Sequence, residues 1–311
     1  MKVLSLVALC SLMVLYSVTD LFAGNRSGTV SDLFLDLPIS ARIVGLGGAD
    51  VAVAEGVSSI AYNPAGILSI GNYGFSATYS DWFADISHTF FGAAMRVSGV
   101  GSFGMSAIVL STNDMAVTTP AYPEGTGQYF RASDYAFSVA YAKSISDKFS
   151  FGVNAKYITS YLYNNSYGAS SFAADIGILY SIPDLGTRLG IAIDNLGTDV
   201  KFIQESYKIP TTLAFGAMIN LIQQERNKLI GTVQINRPND ANEEYNAGLE
   251  YTFDGRFFLR GGYKFGYDAE NWTAGFGLKF DLLGVNGAFD YGYDNFKWLP
   301  GTNTISFAAT L

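Results

Sequence analysis

The chain has 311 residues, 49% hydrophobic and only 15% charged, with 34 glycines, 20 tyrosines and 23 phenylalanines. A soluble domain carries about 25% charged residues and roughly 7% glycine, so this composition argues against a water-solvated globular enzyme and for a chain that meets lipid. The net charge of −8 excludes nucleic acid as a partner, because neutralising phosphates needs Lys and Arg in excess.

Met1 and Lys2 precede an apolar run from Val3 to Val18, and small residues follow at Ala23 and Gly24. This is the layout of a secretory signal peptide over residues 1–23, cleaved near Ala23. No later stretch approaches the roughly 20 consecutive apolar residues of a membrane-spanning helix. The single cysteine, Cys10, lies inside the leader, so the exported chain has no thiol for disulfides, and one histidine is too few for a zinc site.

Residues 24–70 show no strand period and are rich in small residues, whereas from about residue 72 onward ten-residue stretches of period-two alternation recur between turn residues. Ten residues is the span of a tilted transmembrane strand, with apolar side chains toward lipid and small or polar ones toward the lumen. Tyr135, Phe137, Val139 and Tyr141 share one face, for example, and Ala136, Ser138, Ala140 and Ala142 the other. The pattern predicts strands near 73–82, 86–97, 101–112, 132–145, 148–162, 171–181, 187–196, 209–222, 227–237, 243–253, 256–267, 270–281, 285–295 and 302–311, about fourteen in all.

Short links at Ser98 to Val100, Ser146-Asp147, Pro183 to Gly186, Asp254-Gly255 and Leu282 to Gly284 alternate with longer ones. Outer-membrane barrels have short periplasmic turns and long external loops, so the expected fold is an all-β, transmembrane antiparallel barrel in a bacterial outer membrane with both termini periplasmic. Fourteen strands enclose more space than wall side chains alone fill, which assigns residues 24–70 as a plug in the lumen and residues 71–311 as the barrel.

Within 24–70 stand Gly45-Leu46-Gly47-Gly48-Ala49-Asp50, Val51-Ala52-Val53-Ala54 and Tyr62-Asn63-Pro64-Ala65-Gly66. Further along come Asp194-Asn195-Leu196-Gly197, Arg260-Gly261-Gly262-Tyr263-Lys264 and Asp290-Tyr291-Gly292-Tyr293. In these elements the chain resembles the PorV/PorQ family, part of the wider FadL-like barrels. The resemblance implies a fourteen-stranded barrel with its N-terminal segment in the lumen. It also implies one of two functions: binding exported proteins with C-terminal signal domains for type IX secretion and attachment, or passive passage of hydrophobic small molecules such as fatty acids past a movable plug. Asn63, Pro64 and Ala65 match the Asn-Pro-Ala of the plug region of the transporters. The chain departs from that pattern in having a single external link of about twenty residues, between the third and fourth strands.

The candidate plug residues are Arg42, Gly45, Gly47, Gly48, Asp50, Asn63, Pro64, Ala65 and Gly66. The lumen-facing charges are Lys156, Asp175, Arg188, Asp194, Glu250, Arg260, Lys264, Lys279 and Asp290, of both signs and so able to pair with one another and with Arg42 and Asp50. No catalytic residue, metal or cofactor is expected. Gly45-Leu46-Gly47 lacks the third glycine and the βαβ setting of a dinucleotide loop. His88 and its neighbour Ser87 point to opposite strand faces, which excludes a hydrolytic pair and leaves a surface or strand-rim histidine. The expected partners are outer-membrane lipid, exported proteins or other secretion components, and hydrophobic small molecules.

Overall fold

The computed structural model describes residues 28–163, 167–202, 204–282 and 284–311; the leader expected over residues 1–23 lies outside the described residues. Fourteen strands form a closed antiparallel barrel: β1 (Tyr73–Trp82), β2 (Ile86–Val97), β3 (Gly101–Ser111), β4 (Ser133–Ser144), β5 (Phe149–Leu162), β6 (Tyr167–Ile182), β7 (Thr187–Gly197), β8 (Thr212–Gln223), β9 (Asn227–Pro238), β10 (Glu244–Phe253), β11 (Phe257–Phe265), β12 (Glu270–Leu282), β13 (Val285–Phe296) and β14 (Thr302–Thr310). Each pairs with its chain neighbours, and β14 closes on β1 with Gly74 opposite Thr310. Closure leaves no unpaired edge, which is what hydrocarbon demands of a sheet.

The alternation sets the two faces. On β4, Phe137 and Val139 are exposed on the outer surface, whereas Ala136, Ser138 and Ala140 are buried within. The pattern is strict because an Arg or Lys on the lipid face costs about 2–4 kcal/mol at mid-membrane. Two boundaries differ from the sequence expectation by three residues or more. β6 begins at Tyr167, because its ladder with β5 continues past the apolar band as Tyr161 opposite Gly168. β8 begins at Thr212 rather than 209: Pro210 has no N–H for a ladder, and Ile209 turns into the interior. Two small hairpins, Met115–Ala116 with Tyr129–Phe130 and Val200–Phe202 with Glu205–Tyr207, stand in the long links; they are too short to register as alternation.

Residues 30–70 run inside the ring. Val30 bridges Lys208 at the long-link end, and Asp32 accepts from Ser160 Oγ nearby. The chain then makes a 3-10 turn (Leu33–Asp36), a short helix (Ala41–Gly45) and two more 3-10 turns (Val57–Ala61 and Pro64–Ser69) before entering β1 at the short-turn end. There Asn72 N donates to Leu311 O. The first described residues and the C-terminal residue therefore lie at opposite ends of the barrel. The chain thus traverses the lumen before its first strand, and the N-terminus expected on the periplasmic side lies outside the described residues.

Phe34, Leu35 and Ile39 join one apolar cluster with the inward-facing Phe90, Ile108, Ala136 and Ile158 of β2 to β5. Burying each large side chain contributes about 1.5–3 kcal/mol. Ordering the backbone costs roughly 1–2 kcal/mol per residue, so apolar burial at a minority of positions does not by itself fix the segment. Polar anchors supply the rest.

Candidate functional site

The glycines of the segment answer two separate demands. The helix Ala41–Gly45 ends in a Schellman arrangement, with Gly47 N donating to Val44 O and Gly48 N to Ile43 O, both at 3.0 Å. Gly47 and Gly48 both have positive φ, 69° and 78°, which a side chain disfavours. Gly45 instead serves close approach, its Cα lying against Gly275 on β12. Gly-Leu-Gly-Gly is thus a helix stop pressed on the barrel wall.

The wall is built to receive this backbone. Inward positions on several strands are glycine, and an added Cβ would overlap the segment: at Gly248 with Leu46 O, at Gly262 with Gly47 N, at Gly190 with Val51 O and at Gly152 with Ala65 N. Gly47 N also donates to Thr273 Oγ1 (3.0 Å), Ala41 N to Ser306 Oγ (2.8 Å), and the N–H groups of Asp50 and Val51 both to Gln234 Oε1 (2.8 Å each).

Asn63 is fully buried and holds three elements together. Its Oδ1 accepts from Ala65 N, capping the turn that Pro64 begins, while Nδ2 donates to Val51 O (2.9 Å) and to Ile178 O of β6 (3.2 Å). Gly66 lies against Ser59, where a Cβ would come within 2.7 Å of the serine Cβ. Asn-Pro-Ala-Gly thereby fastens the last turns of the segment to each other and to the wall.

The charges sort by level. Toward the short-turn end, Arg42 makes a bidentate pair with Glu250 (Nε 2.9 Å, Nη2 3.0 Å), and Arg260 Nε meets the same carboxylate at 2.6 Å. Arg260 continues to Asp290 (2.6 Å), and Glu55 links Arg42 to Arg188 (3.3 and 3.2 Å). Arg188 Nε also donates to Ala52 O. Three guanidiniums face three carboxylates here. Farther up, Lys156 pairs with Asp175 (2.8 Å) and donates to Asn195 Oδ1 (2.7 Å), at a bulge where the β6–β7 ladder shifts register. Asn195, with φ 57°, donates through its backbone N–H to Asp175 Oδ1 (2.8 Å). Lys264 pairs with Asp294 and with Glu270 (2.8 Å).

Asp50 meets a neutral partner, accepting from Gln234 Nε2 (2.9 Å), and Asp194 has no salt bridge among the described residues. Lys279 lies exposed at the short-turn mouth over the Phe258 ring (5.0 Å). His88 is not at the surface. It faces the interior from β2, 1% exposed, with Nε2 unpartnered among the described residues, while Ser87 donates to Ser111 O. Gln234, Glu55 and Asn246, whose Nδ2 donates to Gly47 O, were not singled out in the sequence; Gln234 and Asn246 sit on the inward parity of their strands, a signal that was available, whereas nothing local marks Glu55.

A family model described as "Type IX secretion system protein PorV" matches residues 22–239. No curated protein matches the chain. Among solved structures, a CymD monoaromatic hydrocarbon channel superposes with a TM-score of 0.61 at 12% identity, over 88% of this chain and 96% of that one. The Pseudomonas putida toluene transporter TodX gives 0.60 at 11% over 88% and 97%, and a Pseudomonas aeruginosa FadL homologue 0.57 at 10% over 88% and 98%. At these identities the likeness is one of fold.

Proposed function

This chain belongs to the PorV family of type IX secretion system proteins, and from that premise we propose that it is a non-enzymatic outer-membrane barrel that binds exported polypeptides for secretion or attachment. The observation that carries the reading is the family match over residues 22–239, which takes in the whole interior segment together with the wall from β1 through β9 that docks much of it. In this reading residues 1–23 are a cleaved leader, the long links face outward and the short turns face the periplasm. Residues 28–70 act as a fixed plug, so cargo is handled at the loop end and does not pass through.

A second reading, passive transport of hydrophobic small molecules, draws support from the likeness to hydrocarbon channels over 88% of the chain. Against it stand the number of anchors on the segment and the filling of the apolar side of the lumen by Phe34, Leu35 and Ile39.

Affinity-tagged barrel, extracted in mild detergent from its own cells and analysed by mass spectrometry, separates the two. Enrichment of exported proteins that share a C-terminal domain is the expected result. Lipid or hydrocarbon in stoichiometric amount with no exported protein would sink the secretion reading in favour of transport.

A further inference from the structure

At the long-link end the interior turns acidic on one side. Lys156 is occupied by Asp175, and Lys264 by Glu270 and Asp294. Asp36 and Asp50 on the segment, Asp194 on β7, Asp240 in the β9–β10 link and Glu244 on β10 have no salt bridge among the described residues. They are also mutual neighbours: Asp36 lies within electrostatic reach of Asp240 and Glu244, and Asp194 within reach of Asp175, Asp36 and Asp50, while the one cation within reach of Asp36 and Asp194 in this group is Lys156, already paired with Asp175. Asp36 is exposed and the other four are partly exposed, so a group entering from the loops can reach them.

A second observation concerns hydrogen bonding. Asp294 is 1% exposed, yet its Oδ1 has no partner among the described residues, and Asp194 Oδ1 is likewise shielded and unpartnered. A shielded carboxylate oxygen without a donor is costly, so this wall is short of N–H groups as well as of positive charge. Among the described residues no three acidic or histidine side chains converge as a metal cage. The carboxyls are strung from β7 to β13, a spread that suits separate cations spaced along a chain better than one ion.

We propose that this acidic mouth binds a cationic stretch of the exported polypeptide, whose Lys or Arg side chains reach Asp36, Asp194, Asp240 and Glu244 from the loop end. The inference rests on the secretion reading and specifies the chemistry of its ligand. The balanced charges beneath, on Arg42, Arg188 and Arg260 against Glu55, Glu250 and Asp290, give the deeper level no such preference.

The test uses the full-length barrel in detergent and two fluorescent peptides, one with spaced lysines and the same peptide with glutamates in their place, read by anisotropy at low salt. The wild type is expected to bind the lysine peptide and not the glutamate one. The triple variant Asp36→Asn/Asp240→Asn/Glu244→Gln should bind it about tenfold or more weakly. A control removing three exposed acids at the short-turn end, Asp147→Asn/Asp184→Asn/Glu225→Gln, should bind as the wild type does. Should the triple variant fail to fold, judged by its heat-shifted mobility on a gel, Asp240→Asn alone carries the comparison with a smaller loss. Equal losses in mouth and control variants, equal binding of the two peptides, or no binding of the lysine peptide would overturn the proposal. Capture of exported proteins from cells equally well by the wild type and the mouth variant would overturn it while leaving the secretion reading intact. Lysine-peptide binding at the mouth with no exported protein captured by the wild type would instead overturn the secretion reading.

Discussion

Gly262→Val is expected to drive residues 41–48 off the wall and turn a closed barrel into one that conducts ions. Gly262 faces inward on β11, where an added Cβ overlaps Gly47 N and would lie 2.5 Å from Leu46 C and 2.6 Å from Gly47 Cα. Those are backbone atoms, so no rotamer change relieves the overlap, and overpacking of this kind costs about 1–3 kcal/mol or more. Valine itself suits a strand, so the wall should still close. The neighbour Gly261 supplies the control, since it faces the other way and a Cβ there meets nothing within 4 Å. In planar bilayers Gly262→Val should raise single-channel conductance and, in detergent, expose the segment to protease, whereas Gly261→Val should do neither. A silent, protease-resistant Gly262→Val barrel would show that the segment does not close the lumen.

The second large effect is expected at Glu250. Its carboxylate is the shared partner of Arg42 and Arg260, at 2.9 and 2.6 Å, and Glu250 and Arg260 are both buried. Glu250→Ala leaves two guanidiniums facing each other in a poorly solvated site, for which breaking a buried pair predicts a loss of about 3–5 kcal/mol. Arg260 retains Asp290, whereas Arg42 keeps only Glu55, which is exposed and shared with Arg188, so the burden falls on Arg42, and with it on the helix Ala41–Gly45. Loosening of this helix should show as faster hydrogen exchange over residues 41–54 and a leak of ions through the barrel. Adding Arg42→Met removes the stranded charge and should restore much of the protection, giving a coupling of the size found for residues in one network. If the double variant is no better than Glu250→Ala, the loss comes from the wall and not from the segment.

Much of the architecture was legible because lipid imposes it. A side chain on the outer face must be apolar and the strand period is two, so fourteen alternating stretches could be counted and their ends placed within a few residues. The exceptions have local causes, Pro210 at the start of β8 and the continuation of β6 beyond the apolar band. Asn63-Pro64-Ala65-Gly66 was legible as a conspicuous motif, though not its work as a tie between β6 and the turns of the segment. The inward parity named Lys156, Glu250, Arg260 and Lys264 as interior charges without saying what each would meet.

The sequence by itself determined the wall: strand number, inner and outer faces, and the alternation of short and long links, all of which follow from a periodic constraint acting over about ten residues at a time. Only the tertiary structure decided the interior. Arg42 finds Glu250 across 208 residues of chain. The glycines of distant strands meet a single stretch of backbone, the segment enters from the loop end, and balanced charges lie below an acidic mouth. These outcomes depend on how strand stagger brings inward positions to one level and on the path of an aperiodic segment through the ring, neither of which is encoded in any local pattern of residues.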